Sequence, residues 1–235
     1  MNLVVIGGHS RSVGKTSVAA ALIAATRERN WTALKLTQYG HGICSASGEP
    51  CGCAVEDPEC PYAISRETEF DAKQIGAHPG APSGGAAMSD TARLLRAGAS
   101  ESYWVRAPMG RLAIVLPELE RLLAGRDNVL IESNSILEFW QPTLYVPVLR
   151  YDVEDFKESN RRFLDRADAF IVVSSAREKP RWPGVDRRIL DQKPVFRVEP
   201  PEYASADLAA FCLAALQEES VLPETPAAQD SLGVR

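Results

Sequence analysis

Apolar residues in this chain fall into two kinds of run that alternate along it. Leu3 to Ile6, Trp31 to Gln38, Ser102 to Ala107, Asn128 to Ser133, Thr143 to Leu149, Ala169 to Val173 and Val195 to Val198 are short and mostly continuous, as in strands buried on both faces. The segments between them carry a helical period. Lys15 to Arg29 places Val18, Ala19, Leu22, Ile23 and Ala25 broadly on one side, with Asn30 suited to the left-handed end. Ser89-Asp90-Thr91 opens a helix through Leu94, Leu95 and Ala97 that Gly98 closes. Arg111 to Ala124 is a third helix, with Pro117 kinking it or starting its second half; Glu158 to Arg166 is a fourth. Ser205 to Gln217 is the last, with Leu208, Phe211, Cys212, Ala215 and Leu216 on its apolar face. Strands alternating with helices predict an α/β three-layer sandwich around a mostly parallel sheet.

Two stretches break this pattern. Residues 39 to 89 are rich in Gly, Pro, Ser and Cys and show no sustained apolar period beyond a short element around Ala63 to Ile75. After Glu219 the composition turns to Pro, Glu, Ser and Ala, the signature of a disordered tail. The expected organisation is one domain over 1–218, a Cys-rich insertion at about 39–62, and a tail over 219–235.

The chemistry concentrates where the first strand meets the first helix. Gly7 and Gly8 let the backbone leave the strand sharply, and Gly14-Lys15-Thr16 opens a helix whose free N–H groups and positive dipole end suit an anion. In a phosphate loop of this kind, backbone N–H groups from Ser10, Arg11, Ser12, Val13, Gly14, Lys15, Thr16 and Ser17 surround the phosphates. Lys15 then reaches the β- and γ-phosphates, and the Thr16 hydroxyl ligates Mg²⁺. The standard spacing G-x-x-x-x-G-K-[ST] would put glycine at His9; here it stands at Gly8, with five residues before Gly14. The bland alternative is a strand-turn-helix with a chance Gly-Lys-Thr.

The run Gly8-His9-Ser10-Arg11-Ser12-Val13-Gly14-Lys15-Thr16 resembles the G-x-x-x-x-V-G-K-T loop of dethiobiotin synthetase and the cobyrinic acid a,c-diamide synthases. Lys35-Leu36-Thr37-Gln38-Tyr39-Gly40 is similar to the K-P-V-Q-T-G run of dethiobiotin synthetase at Lys35, Gln38 and Gly40. The resemblance implies that Lys35 neutralises charge between nucleotide and substrate; a strand-end lysine reaching solvent is the alternative. Glu132, closing the strand Val129-Leu130-Ile131, resembles the Val-Glu-Gly motif of those synthetases and of the molybdopterin-guanine dinucleotide biosynthesis adaptors, with Ser133 in place of the glycine. There it would hold a Mg²⁺ water; otherwise it caps a loop. Asp90 to Ala99 is similar to a D-[ST]-x-R-x-x-x-A-G-A segment of the adaptors. The lysine that marks the partition and iron-sulfur carrier ATPases would fall at Ser10. Taken together, the resemblance implies a P-loop nucleoside triphosphate hydrolase fold and an enzyme that binds Mg²⁺ with ATP, favoured over GTP, and hydrolyses it or transfers its phosphoryl group. Gln38 and His9 become candidate substrate contacts. Homodimerisation across the site, common in these families, is implied as well.

Cys44, Cys51, Cys53 and Cys60 make a C-x6-C-x-C-x6-C pattern able to complete a Zn²⁺ site or hold an iron-sulfur cluster, with His41 as a substitute ligand. Four free thiols, or a redox pair of Cys51 and Cys53, are the alternatives. The pattern opens a second functional class: a nucleotide-regulated adaptor that carries a metal or metal cofactor to a partner enzyme. His9, His41 and His78 all lie in glycine-containing loops, and no guanine-reading Asn-Lys-x-Asp is present. Ser174-Ser175-Ala176, at a strand end, is the expected base-side loop.

Composition narrows the partners. A net charge of −5 and a pI near 5.4 argue against electrostatic binding of nucleic acid or an anionic membrane, while leaving room for a nucleotide at a locally positive loop. The absence of a leader-like N-terminus and of an apolar run of about 18 residues points to the cytoplasm. An unidentified small-molecule substrate or partner enzyme completes the expectation.

Overall fold

The computed structural model describes residues 1–40, 55, 59–68, 88–175, 179–180 and 182–218. They form an eight-stranded sheet: β1 (Asn2–Gly8), β2 (Thr32–Tyr39), β3 (Ala63–Arg66), β4 (Glu101–Pro108), β5 (Asn128–Glu132), β6 (Leu144–Arg150), β7 (Phe170–Val173) and β8 (Val195–Val198). The spatial order is β3-β4-β2-β5-β1-β6-β7-β8, and every neighbouring pair is parallel except β3 against β4. The helices are α1 (Lys15–Ala25), α2 (Asp90–Ala97), α3 (Leu116–Leu123), α4 (Glu158–Arg161) and α5 (Ala206–Glu218).

Each strand divides its apolar residues between two cores. Leu3, Val5, Leu34, Val129 and Ile131 face one side with Leu119 of α3, while Val4, Ile6, Ala33 and Leu130 face the other. That second side is covered by Val18, Leu22 and Ile23 of α1, Leu94 of α2, and Leu208, Cys212 and Leu216 of α5. This is the three-layer α/β arrangement the alternating runs predict. Burial pushes the Cys212 thiol up to about 12, in keeping with a packing role.

Several boundaries differ from the sequence expectation for identifiable reasons. The first helix ends at Ala25, because the Thr26 hydroxyl bonds back to the Leu22 carbonyl at 2.7 Å and accepts from Trp31 Nε1 at 2.9 Å. A turn of 3₁₀ helix, Arg27–Arg29, then leads to Asn30 at φ 55°. Pro117 starts α3 rather than kinking it, and the residues before it, Leu112–Val115, are 3₁₀. The fourth predicted helix is the single turn of α4 followed by 3₁₀ at Leu164–Arg166. Of the short element expected around Ala63 to Ile75, Ala63–Arg66 is the antiparallel edge strand β3, and residues 69–75 lie outside the described residues. α2 has the expected ends, with Ser89 Oγ accepting from Ala92 N–H at 3.0 Å and Gly98 left-handed at φ 114°.

The sheet order sets the site. β1 lies between β5 and β6, and the chain leaves it toward β2 on one side, returning through β6 on the other. The carboxyl end of β1 is therefore a switch point of the kind where α/β sheets open a crevice. Among the described residues no helix is long and apolar enough to cross a membrane.

Candidate functional site

Parallel register puts Glu132 of β5 level with Ile6 of β1 on one side and with Lys35 of β2 on the other. Residues separated by about a hundred positions thus meet at one height, just beneath the loop between β1 and α1. Thr16, in the first turn of α1, donates its hydroxyl to Glu132 Oε2 at 2.6 Å. Lys35 Nζ lies 3.4 Å from Glu132 Oε1 and bonds Asp90 Oδ2 at the start of α2. The structure thus brings Thr16, Lys35 and Glu132 together and adds Asp90, bonded to Lys35. Burial opposes the Lys35 ammonium, but Glu132 and Asp90 outweigh it and raise its pKa. Burial likewise opposes the Asp90 carboxylate, but Lys35 and Arg93 hold its pKa below the ordinary range.

The loop above this group is shaped by close backbone approach. Gly14 is left-handed at φ 100° and Ser12 at φ 55°, and a Cβ on Gly8 would stand 2.7 Å from Lys15 Cδ. Gly8 is clamped by one side chain: its N–H donates to Asn134 Oδ1 and its carbonyl accepts from Asn134 Nδ2, both at 2.9 Å. Lys15 Nζ donates to the Ser10 carbonyl at 3.0 Å. Its pKa is lowered, first by burial and then by Lys35 and Arg11, with Glu132 and Asp90 opposing. Val13 is buried, Arg11 and Gly14 are half-buried, and Ser12 is exposed. The Ser17 hydroxyl is bonded by Arg93 Nη2 at 2.8 Å, tying α1 to α2.

His9 has a different place from the one the sequence suggests. Its ring is fully buried, with Phe156 and Trp182 at centroid distances of 5.1 and 5.3 Å. Arg150 N–H donates to Nε2 at 3.0 Å, so the proton sits on Nδ1 and is donated to the Asp155 carbonyl at 2.8 Å. Burial, opposed by the Asp155 bond, lowers the His9 pKa to about 4. A neutral imidazole with both nitrogens engaged by backbone anchors the loop and has none left for a ligand. Gln38 is also engaged elsewhere, its Oε1 accepting from Gly110 N–H at 3.0 Å beyond the end of β4.

Further contacts, some of them with residues the sequence did not single out, complete the surroundings. Ser10 donates its hydroxyl to Asp155 Oδ2 at 2.5 Å, and Lys157 N–H donates to the His9 carbonyl at 2.7 Å. Tyr203, after β8, packs on the loop so closely that a Cβ on Gly14 would lie 2.8 Å from its ring. Ser174, in the expected base-side loop, bonds to the Val198 carbonyl through its N–H at 2.8 Å. Asp90 carried a helix-capping signal that concealed a second role. Asn134 and Lys157 had no spacing signal at all, since sheet order alone brings them here.

Of the four-cysteine pattern, Cys44, Cys51 and Cys53 lie outside the described residues, as do His41 and His78. Cys60 is exposed, its thiol 3.4 Å from the Tyr62 carbonyl. Among the described residues no group of three or more His, Cys, Asp or Glu is placed to hold a metal.

No protein-family model and no curated protein matches this chain. Among solved structures, it is similar to HypB from Helicobacter pylori, crystallised in complex with nickel. That likeness has 12% identity over 95% of this chain and 91% of that one, at a TM-score of 0.49. It is similar also to the MinC:MinD cell division protein complex of Aquifex aeolicus, at 16% identity over 92% of this chain and 86% of that one, with a TM-score of 0.38. Neither likeness bears on activity, ligand or partner.

Proposed function

We propose that this protein binds a nucleoside triphosphate, ATP in preference to GTP, with Mg²⁺, and hydrolyses it or transfers its phosphoryl group. The observation that carries this reading is the bond from Thr16 to Glu132 beneath a loop ending in the left-handed Gly14 and Lys15. The donor set fits the metal: the Thr16 hydroxyl and the Glu132 and Asp90 carboxylates are hard oxygen donors, the class that suits Mg²⁺. When bound, Mg²⁺ would neutralise phosphate charge and polarise the transferring group.

The chain's own residues supply the rest. Loop N–H groups and the start of α1 bind phosphate oxygens, and no side chain among the described residues caps that helix end in their place. Lys15 exchanges the Ser10 carbonyl for a phosphate oxygen, a stronger, charge-assisted partner. Lys35 keeps Asp90 and Glu132 from repelling each other. In a synthetase-like reaction, Lys35 would also steady an acyl phosphate made on a substrate carboxylate. The absence of Asn-Lys-x-Asp after β7 supports ATP over GTP.

Titration of the purified protein with ATP and GTP, with and without Mg²⁺, tests this. Wild type is expected to bind and Lys15→Ala to lose at least about 100-fold in affinity, consistent with removal of a charge-assisted contact from a partly buried anion site. Equal, negligible binding by both proteins would end the reading.

A second reading is a nucleotide-regulated adaptor carrying a metal or metal cofactor. It is supported by the four-cysteine pattern and the exposed Cys60 thiol. Metal analysis of protein purified without air, paired with phosphate release, separates the two. Stoichiometric metal without turnover favours the adaptor, and turnover unchanged in Cys51→Ser and Cys53→Ser favours the enzyme.

A further inference from the structure

The segment after β6 is strapped to the phosphate loop. His9 and Ser10 hold it through Arg150 N–H, the Asp155 carbonyl and carboxylate, and Lys157 N–H, while Phe156 stacks near the His9 ring. The backbone of Lys157 is thereby fixed 2.7 Å from the loop's own carbonyl at His9. Its half-buried ammonium makes no hydrogen bond or ion pair among the described residues. Lys15 and Arg11 stand within electrostatic reach and repel it; the Asp155 carboxylate attracts it but already accepts from the Ser10 hydroxyl.

Three cations therefore converge on a loop of backbone donors. Lys15 has Glu132 and Asp90 within reach, but holding the Lys157 ammonium beside like charges in a half-buried site with no bonded anion of its own is unfavourable until one joins it. The anion that matches several adjacent cations and a row of N–H groups is a phosphate chain. We propose that Lys157 binds the terminal phosphate of the nucleotide, beside Lys15 and Arg11, and helps the site distinguish triphosphate from diphosphate. Because Lys157 is tied to the first turn of the loop and not to α1, it stands with the end of the phosphate chain. The phosphate nearest the helix N-terminus is left to α1. This inference rests on the nucleotide reading above.

Burial, then Lys15 and Arg11, lower the Lys157 pKa to about 8, with Asp155 opposing. A phosphate beside it would favour the charged form, so binding at higher pH must take up a proton. Wild-type affinity should then fall as pH rises through 8, and Lys157→Met should reduce that slope.

The test is calorimetric titration of wild type, Lys157→Met, Lys157→Arg and Lys15→Ala with a slowly hydrolysed ATP analogue and with ADP, at several pH values, alongside melting curves. Lys157→Met is expected to weaken the triphosphate about tenfold or more and the diphosphate by less than about threefold, while Lys157→Arg retains most of the discrimination. Wild-type discrimination in Lys157→Met, or equal losses for both nucleotides, would overturn the proposal while Lys15→Ala still upheld the nucleotide site. If wild type bound neither nucleotide, the underlying reading would fall and this one with it.

Discussion

The two flanks of the loop between β1 and α1 are charged in opposite ways. Toward β2 and β5, Lys35 lies between Asp90 and Glu132, and Thr16 donates to Glu132, so each charge has an opposite neighbour within bonding reach. Toward β6, Lys15 and Arg11 repel Lys157, and the Asp155 carboxylate that attracts it already accepts from the Ser10 hydroxyl. A balanced flank holds its shape without a ligand; a positively charged flank gains most when an anion arrives. Under the proposed function this difference is a division of labour, with Mg²⁺ beside the carboxylates and phosphate beside the lysines.

The comparison can be broken most decisively at Glu132. Glu132→Gln keeps the shape but removes the charge that Thr16 and Lys35 share, and turnover is expected to fall by about 100-fold or more with nucleotide affinity far less affected. Single-turnover phosphate release with a parallel binding titration checks it; a matching loss in affinity would mean that the acidic flank also holds the phosphates.

The next largest effect is on stability, and it belongs to the cationic flank. His9 titrates near 4 when folded against an ordinary 6.5, so the unfolded chain takes up its proton first and stability falls as pH drops below about 6.5. Between pH 7.5 and 5, wild type should lose about 2 kcal/mol through this group, since each unit below 6.5 is worth about 1.4 kcal/mol. His9→Gln, less stable at neutral pH, should lack that increment. Urea unfolding of both proteins at the two pH values checks this, and parallel curves would show that the buried ring carries no such linkage.

The smallest expected effect sharpens the comparison. Asp90→Asn should raise the Mg²⁺ concentration needed for half-maximal activity by about tenfold, with ADP affinity nearly unchanged. A Mg²⁺ titration of phosphate release reads it. If Asp90→Asn instead weakened ADP strongly, the two flanks would not be separable.

Much of the fold is legible in residue order, and the reason is physical. Leu3 to Ile6 and Val129 to Ile131 are buried from both sides, which leaves only apolar residues there, and Ser89 and Gly98 bracket α2 by chemistry local to its ends. β3 is harder to read because its four residues are half-buried or exposed on an edge, where burial writes no pattern. The early end of α1 depends on the Thr26 hydroxyl, which can favour or break a helix according to what it meets. Within the site, Lys15, Thr16 and Glu132 announce themselves by position at a helix or strand end, and Lys35 as a charge flanked by Leu34 and Leu36 inside an apolar strand. Asp90 and Lys157 do not, because they come close only after β4, β2, β5, β1 and β6 have lined up. His9 shows the converse: a glycine-rich stretch reveals that the backbone turns there, and nothing in it says on which side of the turn a ring will be enclosed.

The amide of Asn134, bonded both ways to Gly8, has a consequence for protein engineering. Residues 7 to 16 look like a transferable cassette, since motif and helix are contiguous. Moved to another strand and helix, they would leave Gly8 without its amide bracket, His9 without the Arg150 and Asp155 backbone groups, and Ser10 without its carboxylate. The portable unit is the loop with two distant pieces of chain, around 134 and 150–157, and a graft that omitted them would carry the motif's spelling without its form.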